Sequence, residues 1–249
     1  MIFSSRSIFA ALALILAVSL TSCGNQNDST SETGNAKPTI GEKSNEGSSP
    51  ETKSEDNKES EANKWVSLFD GKKLGQWAET DFSGKGEVSI DENGSLVLGM
   101  GIELTGVHWT GKDDYPKIDY EITMEAKRTQ GSDFFCGLTF PYEESNASLI
   151  LGGWGGGLIG ISSIDDFDAS ENETGDAYAF EDNRWYAIKL RVTKAKLEAW
   201  IDEKQIIDVE VEDRKISMRT GEIEMSAPLG IATYSTTGVI RNIRYRKLE

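Results

Sequence analysis

The chain's only histidine, His108, lies in Thr105-Gly106-Val107-His108-Trp109-Thr110, beside an indole, Trp109, that can stack on a sugar face. An imidazole exchanges protons near neutral pH, so His108 is a candidate general base; a partly buried structural histidine is the competing reading. A second set of candidates is carboxylic. Read as a strand, Tyr120 to Ala126 places Tyr120, Ile122, Met124 and Ala126 on one face and Glu121, Thr123 and Glu125 on the other. The two glutamates then stand about 7 Å apart on one face. That resembles the pairing of about 5–5.5 Å used by retaining glycosidases, although a solvated sheet face has the same pattern. Asp133 opens the next strand beside Phe134 and Phe135, an apolar setting that withholds water from a carboxylate, and is the fourth candidate acid or base.

Two further stretches could bind. Apolar runs flank Gly152-Gly153-Trp154-Gly155-Gly156-Gly157, where glycines permit close approach and Trp154 offers a second sugar platform. A glycine-rich hairpin with Trp154 capping the core would read alike. The run lacks the Gly-Lys-Ser/Thr of a phosphate loop. Beyond it, eight acids fall between positions 165 and 182 with no base among them. Asp165, Asp166, Asp168, Glu171 and Asn172 are hard-oxygen donors, so Ca²⁺ is the cation to expect, without EF-hand spacing; a solvated acidic loop is the alternative.

The elements that position these residues are strands. Leu96–Leu98, Ile118–Met124, Trp185–Val192, Leu229–Tyr234 and Val239–Tyr245 are β-rich. Leu197–Ile201 and Gln205–Val209 read as a hairpin with Asp202-Glu203-Lys204 as its turn. No amphipathic helix exceeds two turns, and about a dozen short strands in residues 65–249 predict one all-β sandwich or jelly roll.

Composition narrows the function. The 249 residues carry 42 Asp+Glu against 26 Lys+Arg, a net charge of −16, which repels phosphate backbones and argues against nucleic acid as a partner. One histidine and two cysteines cannot build a multi-histidine or Cys₄ metal site. Residues 1–22 read as a secretory leader, because the apolar run Ile8–Leu20 is too short to span a bilayer. Leu20-Thr21-Ser22-Cys23 resembles a bacterial lipobox, which predicts lipidation of Cys23 and membrane attachment through that anchor alone. Gly24 favours sorting to an outer membrane, facing the periplasm or the cell surface. Residues 23–64 form the lipidated cysteine and a polar tether with only three aliphatic side chains, too few to fold. Cys136, in Phe135-Cys136-Gly137-Leu138, is then the only remaining thiol and reads as a buried small hydrophobe.

The folded segment resembles a known family. Trp65-Val66-Ser67-Leu68-Phe69-Asp70-Gly71-Lys72-Lys73-Leu74-Gly75-Gln76-Trp77 is similar to the opening of the 3-keto-disaccharide hydrolase domain family; Asn183-Arg184-Trp185-Tyr186, Ala199-Trp200-Ile201-Asp202 and Arg241-Asn242-Ile243-Arg244 agree with it in kind. The resemblance covers 65–249 and implies a concanavalin A-like jelly-roll β-sandwich, of a sort common in planctomycete lipoproteins and secreted proteins. It implies a hydrolase or lyase that cleaves 3-keto-glycosides by removing the C2 proton, expelling the C1 substituent and adding water. His108, Asp133, Glu125 or Glu121 would supply the base, and Trp109 and Trp154 the substrate platforms. Family members commonly carry Asn-Ser-Gly before a strand ending in Arg, and a Gln and a His near the last strands. Ser132–Pro141 and Ala232–Thr237 depart from both patterns, which leaves open a non-catalytic, lectin-like carbohydrate-binding module.

Overall fold

A computed structural model describes residues 63–111 and 115–249. The leader, the Cys23 lipidation and the tether lie outside the described residues. Fifteen strands follow in chain order: β1 (Val66–Ser67), β2 (Trp77–Glu79), β3 (Val88–Ile90), β4 (Leu96–Leu98), β5 (Leu104–Trp109), β6 (Tyr120–Gly131), β7 (Cys136–Tyr142) and β8 (Ser145–Gly152) come first. Then come β9 (Leu158–Ser162), β10 (Asp176–Ala177), β11 (Tyr186–Val192), β12 (Lys196–Ile201), β13 (Lys204–Glu210), β14 (Gly230–Tyr234) and β15 (Thr236–Lys247). They make two antiparallel sheets. One runs β13-β12-β11-β6-β15-β4-β3, with β1 also on β15; the other runs β10-β9-β8-β7-β14-β5-β2.

Alternation explains the first sheet. In β6, Tyr120, Ile122, Met124 and Ala126 join the core with Ile188 and Leu190 of β11 and Leu197, Ala199 and Ile201 of β12. Tyr120 Oη donates to the Pro141 carbonyl at 2.5 Å and so ties the two sheets together. Strand β6 runs past the expected end at Met124 to Gly131, because β11 and β15 pair with its two edges as far as Ala126 and Gly131. The β12–β13 turn is two residues and not three: Lys204 pairs with Ile201, and Asp202 takes the left-handed backbone (φ 55) that a tight reversal needs.

The second sheet is buried on both sides. All seven residues of β7 are buried, since the main core covers one face and irregular segments 163–175 and 211–228 cover much of the other. Its glycines are matched to that cover: a Cβ on Gly160 would stand 3.0 Å from Ala169, and one on Gly230 2.4 Å from the Ser226 carbonyl. Fully buried Leu149, Leu151, Ile159 and Ile161 each contribute about 1.5–3 kcal/mol by leaving water. Cys136 lies among them, 3.8 Å from Met124 Sδ, and burial pushes its thiol up to about 12.

Candidate functional site

The uncovered part of the second sheet's outer face is a cleft of about 430 Å³. Its floor is Leu104, Ser148, Ile150 and Ser162, which alternate with core residues on β5, β8 and β9. Asp133, Phe134 and Trp154 form one wall; Arg219, Glu222 and Ile223, ahead of and within a short 3₁₀ turn (Glu222–Ser226), form another. Glu103 and Tyr234 complete it, the phenol ring tilted against Phe134 at 5.9 Å.

The glycine bed builds the Trp154 wall. Gly152, Trp154, Gly155 and Gly156 all take left-handed backbone (φ 83, 49, 89 and 110), which glycine adopts freely and tryptophan at a cost of about 1–3 kcal/mol. The turn is held from outside. Asp133 Oδ2 accepts the Gly155 N–H at 3.0 Å while its Oδ1 accepts the Phe134 N–H at 2.8 Å. Arg128 donates to the Gly156 carbonyl at 3.4 Å and to Asp182 at 2.6 Å. Trp154 is thereby turned outward, 45% exposed, with the Arg219 guanidinium 5.8 Å from its ring centre.

Arg219 is held in turn by Asp168. Its Nη1 donates to Asp168 Oδ2 at 2.5 Å, and Asp168 Oδ1 accepts from the Ser162 hydroxyl and the Ala169 N–H. Among the described residues the other donors of the arginine fork have no hydrogen-bond partner, and they are available to the cleft. The site therefore combines an indole face, a fixed carboxylate, a guanidinium and hydroxyls around a floor of strand residues. Such a set can stack on a sugar ring, hydrogen-bond its hydroxyls and hold negative charge on an oxygen.

Of the residues singled out in the sequence, the structure brings Asp133 and Trp154 into the cleft and leaves the others elsewhere. His108 points to the same side of the second sheet as Leu104 but does not line the cleft; its Nδ1 shares a 3.1 Å hydrogen bond with Thr80 Oγ1. Trp109 points the opposite way, into the core, edge-on to Trp77 at 5.2 Å, so it offers no platform. Glu121 and Glu125 belong to the other sheet. Glu121 is fully buried between Arg191 and Arg246, at 2.7 and 2.6 Å. Burial alone would raise its carboxyl, but hydrogen bonds from the two arginines outweigh that and hold it below the ordinary range. Glu125 is lowered in the same way, against burial, by Asn242 and Arg241.

The Ca²⁺ ligand set is not formed. Asp165 accepts the Lys215 N–H at 3.0 Å and Arg214 Nε at 2.8 Å, which lower its carboxyl. Asp166 pairs with Lys215 at 2.6 Å, Glu173 with Arg214, and Asp168 with Arg219. The Asn172 amide donates to the Ile161, Phe167 and Asp168 carbonyls and its oxygen accepts from Thr174; Glu171 accepts the Asp168 N–H at 3.4 Å. Among the described residues no three acidic, histidine or cysteine side chains converge as metal ligands. Sequence reading missed Arg219, Ser162 and Tyr234. A signal for Arg219 existed: Arg214, Lys215 and Arg219 form a basic run that answers the acidic one.

The two antiparallel sheets define the class of concanavalin A-like jelly-roll β-sandwiches, here with a loop-walled cleft that holds an outward indole, a carboxylate and a guanidinium. Residues 64–248 match the family described as the 3-keto-alpha-glucoside-1,2-lyase-like domain, and the chain belongs to that family. Among solved structures it is similar in fold to the Crh5 transglycosylase, alone and in complex with NAG (TM-score 0.50, 10% identity, 74% of this chain and 83% of that chain in each case). It also matches the carbohydrate-binding module CBM66 from Bacillus subtilis (TM-score 0.44, 14% identity, 69% of this chain and 96% of that chain). No curated protein matches the chain.

Proposed function

We propose that the cleft binds a 3-keto-glycoside and cleaves it by elimination followed by hydration. The observation that supports this reading is the convergence of Asp133, Trp154 and Arg219 on one cleft in a member of this family. Trp154 stacks on the sugar ring, and the Asp133 carboxylate takes the C2 proton, which the C3 ketone acidifies. The electron pair moves onto the C3 oxygen as an enolate, where Arg219 and the cleft hydroxyls hold the charge. Collapse of the enolate forms the C1=C2 bond and expels the C1 oxygen with its pair. The leaving alkoxide takes the proton held by Asp133, which restores the carboxylate, and water adds its hydroxyl to C1 and its hydrogen to C2.

Incubation of the full-length protein with a 3-keto-glucoside, followed by detection of the released C1 group, tests the reading. Loss of turnover in Asp133→Asn and Arg219→Ala would support it. Absence of product, together with calorimetric glycan binding that Trp154→Ala abolishes, would replace it with a non-catalytic binding module. One observation favours that second reading: both Asp133 oxygens already accept backbone N–H groups. We propose further that the protein is anchored to the cell envelope by a lipid on Cys23, a reading supported by the lipobox-like Leu20–Cys23 and tested by fatty-acid labelling that Cys23→Ser should abolish.

A further inference from the structure

Three of the chain's six tryptophans lie in neither the core nor the cleft. Trp65, Trp185 and Trp200 stand on the outer side of the first sheet, and each ring meets two cations. Arg244 and Arg246 approach Trp65 at 5.3 and 4.8 Å, Lys127 and Arg241 approach Trp185 at 4.7 and 4.1 Å, and Lys189 and Arg191 approach Trp200 at 3.7 and 5.4 Å. The three rings thus gather six cations on a domain that is otherwise acidic. On β11, β6 and β15 the carboxylates of this face are fewer, while β12 and β13 add Glu198, Asp208 and Glu210 with Lys196 on Asp208. Glu121 takes Arg191 and Arg246, Glu125 takes Arg241, and Glu198 stands 3.6 Å from Arg191. Lys127 and Lys189 pair with no carboxylate among the described residues; Arg244 forms no ion pair within 4 Å, donates to Thr123 Oγ1 at 3.3 Å and attracts Glu125 from further off.

Strand register spaces these three. Lys189 and Arg244 both pair across from Thr123 of β6, so they stand two strand spacings apart, about 9.6 Å. Lys127 lies four residues further along β6, about 13 Å away. No small anion reaches all three, whereas a chain of regularly spaced anions can. Two polyanions fit poorly. The indoles are already occupied by cations, which leaves no ring for a nucleic-acid base to stack on. A flat anionic bilayer would also meet the exposed acids of the neighbouring edge strand, Asp208 and Glu210 of β13, which a single chain across β11, β6 and β15 avoids.

We propose that this face binds a carboxylated polysaccharide, a uronate chain lying across β11, β6 and β15, at a site separate from the cleft. The cations hold the carboxylates; the indoles fix the cations in extended, outward positions and lower the entropy lost on binding. Polygalacturonate is the probe, with neutral dextran as its control, and affinity is measured by calorimetry on the full-length protein at low salt. Binding to polygalacturonate alone is expected, weakening as salt rises. The triple variant Lys127→Gln/Lys189→Gln/Arg244→Gln should lose affinity at least tenfold. It leaves the contact ion pairs of Glu121 with Arg191 and Arg246 and of Glu125 with Arg241 intact, so its Tm should stay near wild type. Lys127→Arg/Lys189→Arg should retain binding, because charge and ring contact persist. No binding at low salt, binding equal in the triple variant, or tighter binding to single-stranded oligonucleotides or anionic vesicles would each overturn the proposal. A 3-keto-glucoside does not compete for this face, so failure here leaves the cleft reading standing.

Discussion

Arg219 Nη1 donates to Asp168 Oδ2 at 2.5 Å across 51 positions of sequence. An acid expected to ligate a cation instead fixes the one guanidinium that lines the cleft, and Ser162 on the cleft floor fixes that acid. Arg219→Ala should therefore cost about 10²–10³ in kcat/KM on a 3-keto-glucoside, the loss typical of removing one donor from a developing oxyanion. Asp168→Asn should cost less, since the guanidinium remains but is less well held. The side chain of Arg219 is largely exposed, so Tm should stay near wild type in Arg219→Ala, whereas Asp168 is mostly buried and also holds Ser162 and Ala169, so Asp168→Asn should lower it. Equal turnover in wild type and Arg219→Ala would remove the arginine from the chemistry.

The same pairings bear on metal. Asp165, Asp166, Asp168 and Glu173 already have Arg214, Lys215 or Arg219 as counter-charge. A cation would have to displace at least two of these bases to gain a ligand set. Millimolar Ca²⁺ should leave the thermal midpoint unchanged, and EDTA should leave both midpoint and turnover unchanged. A midpoint raised by Ca²⁺ would show that the loop rearranges around the ion, because a ligand that binds only the folded state must stabilise it.

Glu121 is the more sensitive structural position. Its folded carboxyl lies below the ordinary range, so it contributes stability above the unfolded value, and that contribution disappears as pH falls through the folded one. Glu125 acts in the same direction. Denaturant midpoints should therefore be flat near neutrality and fall on acidification through and below the ordinary carboxylate range. Glu121→Gln should flatten part of that fall while lowering stability at neutral pH by about 1–3 kcal/mol, because Arg246 loses its carboxylate and Arg191 keeps only Glu198. An unchanged acid limb in Glu121→Gln would assign the pH dependence to other groups.

How far the sequence could be read depends on where alternation survives. β6, β11 and the β12–β13 hairpin have one face on the core and one outward, so period two is visible in them. β7 has no polar face to show, because both of its sides are covered. The site was harder for the same reason. Asp133 and Trp154 were visible as unusual residues beside glycine and phenylalanine, but Arg219 acts from an irregular segment placed by a backbone bridge at Ile216 and by ion pairs, both with a distant loop. Glu121 and Glu125 have the alternation of a polar face, and nothing local says that this face belongs to the sheet without the cleft. His108 and Trp109 carried their own warning, since neighbours on a strand point to opposite faces and cannot serve one site.

That opposition gives the sharpest test of the cleft assignment. His108 and Leu104 share the outer face of β5, but His108 lies four residues along the strand, about 13 Å away, and its Nδ1 is engaged with Thr80. Trp109 is on the other face, 7% exposed and locked against Trp77. His108→Ala should consequently keep kcat/KM on a 3-keto-glucoside within a few-fold of wild type and leave the pH–rate profile in place. Trp109→Ala should leave the chemistry alone in whatever folds and lower stability by about 3–5 kcal/mol through the cavity it opens in the core. Measured side by side with Asp133→Asn, which removes the proposed base and should cost about 10²–10⁴, the two variants separate the readings. A loss in His108→Ala as large as that in Asp133→Asn would move the base from the cleft to β5 and require the substrate to reach under the 3₁₀ turn.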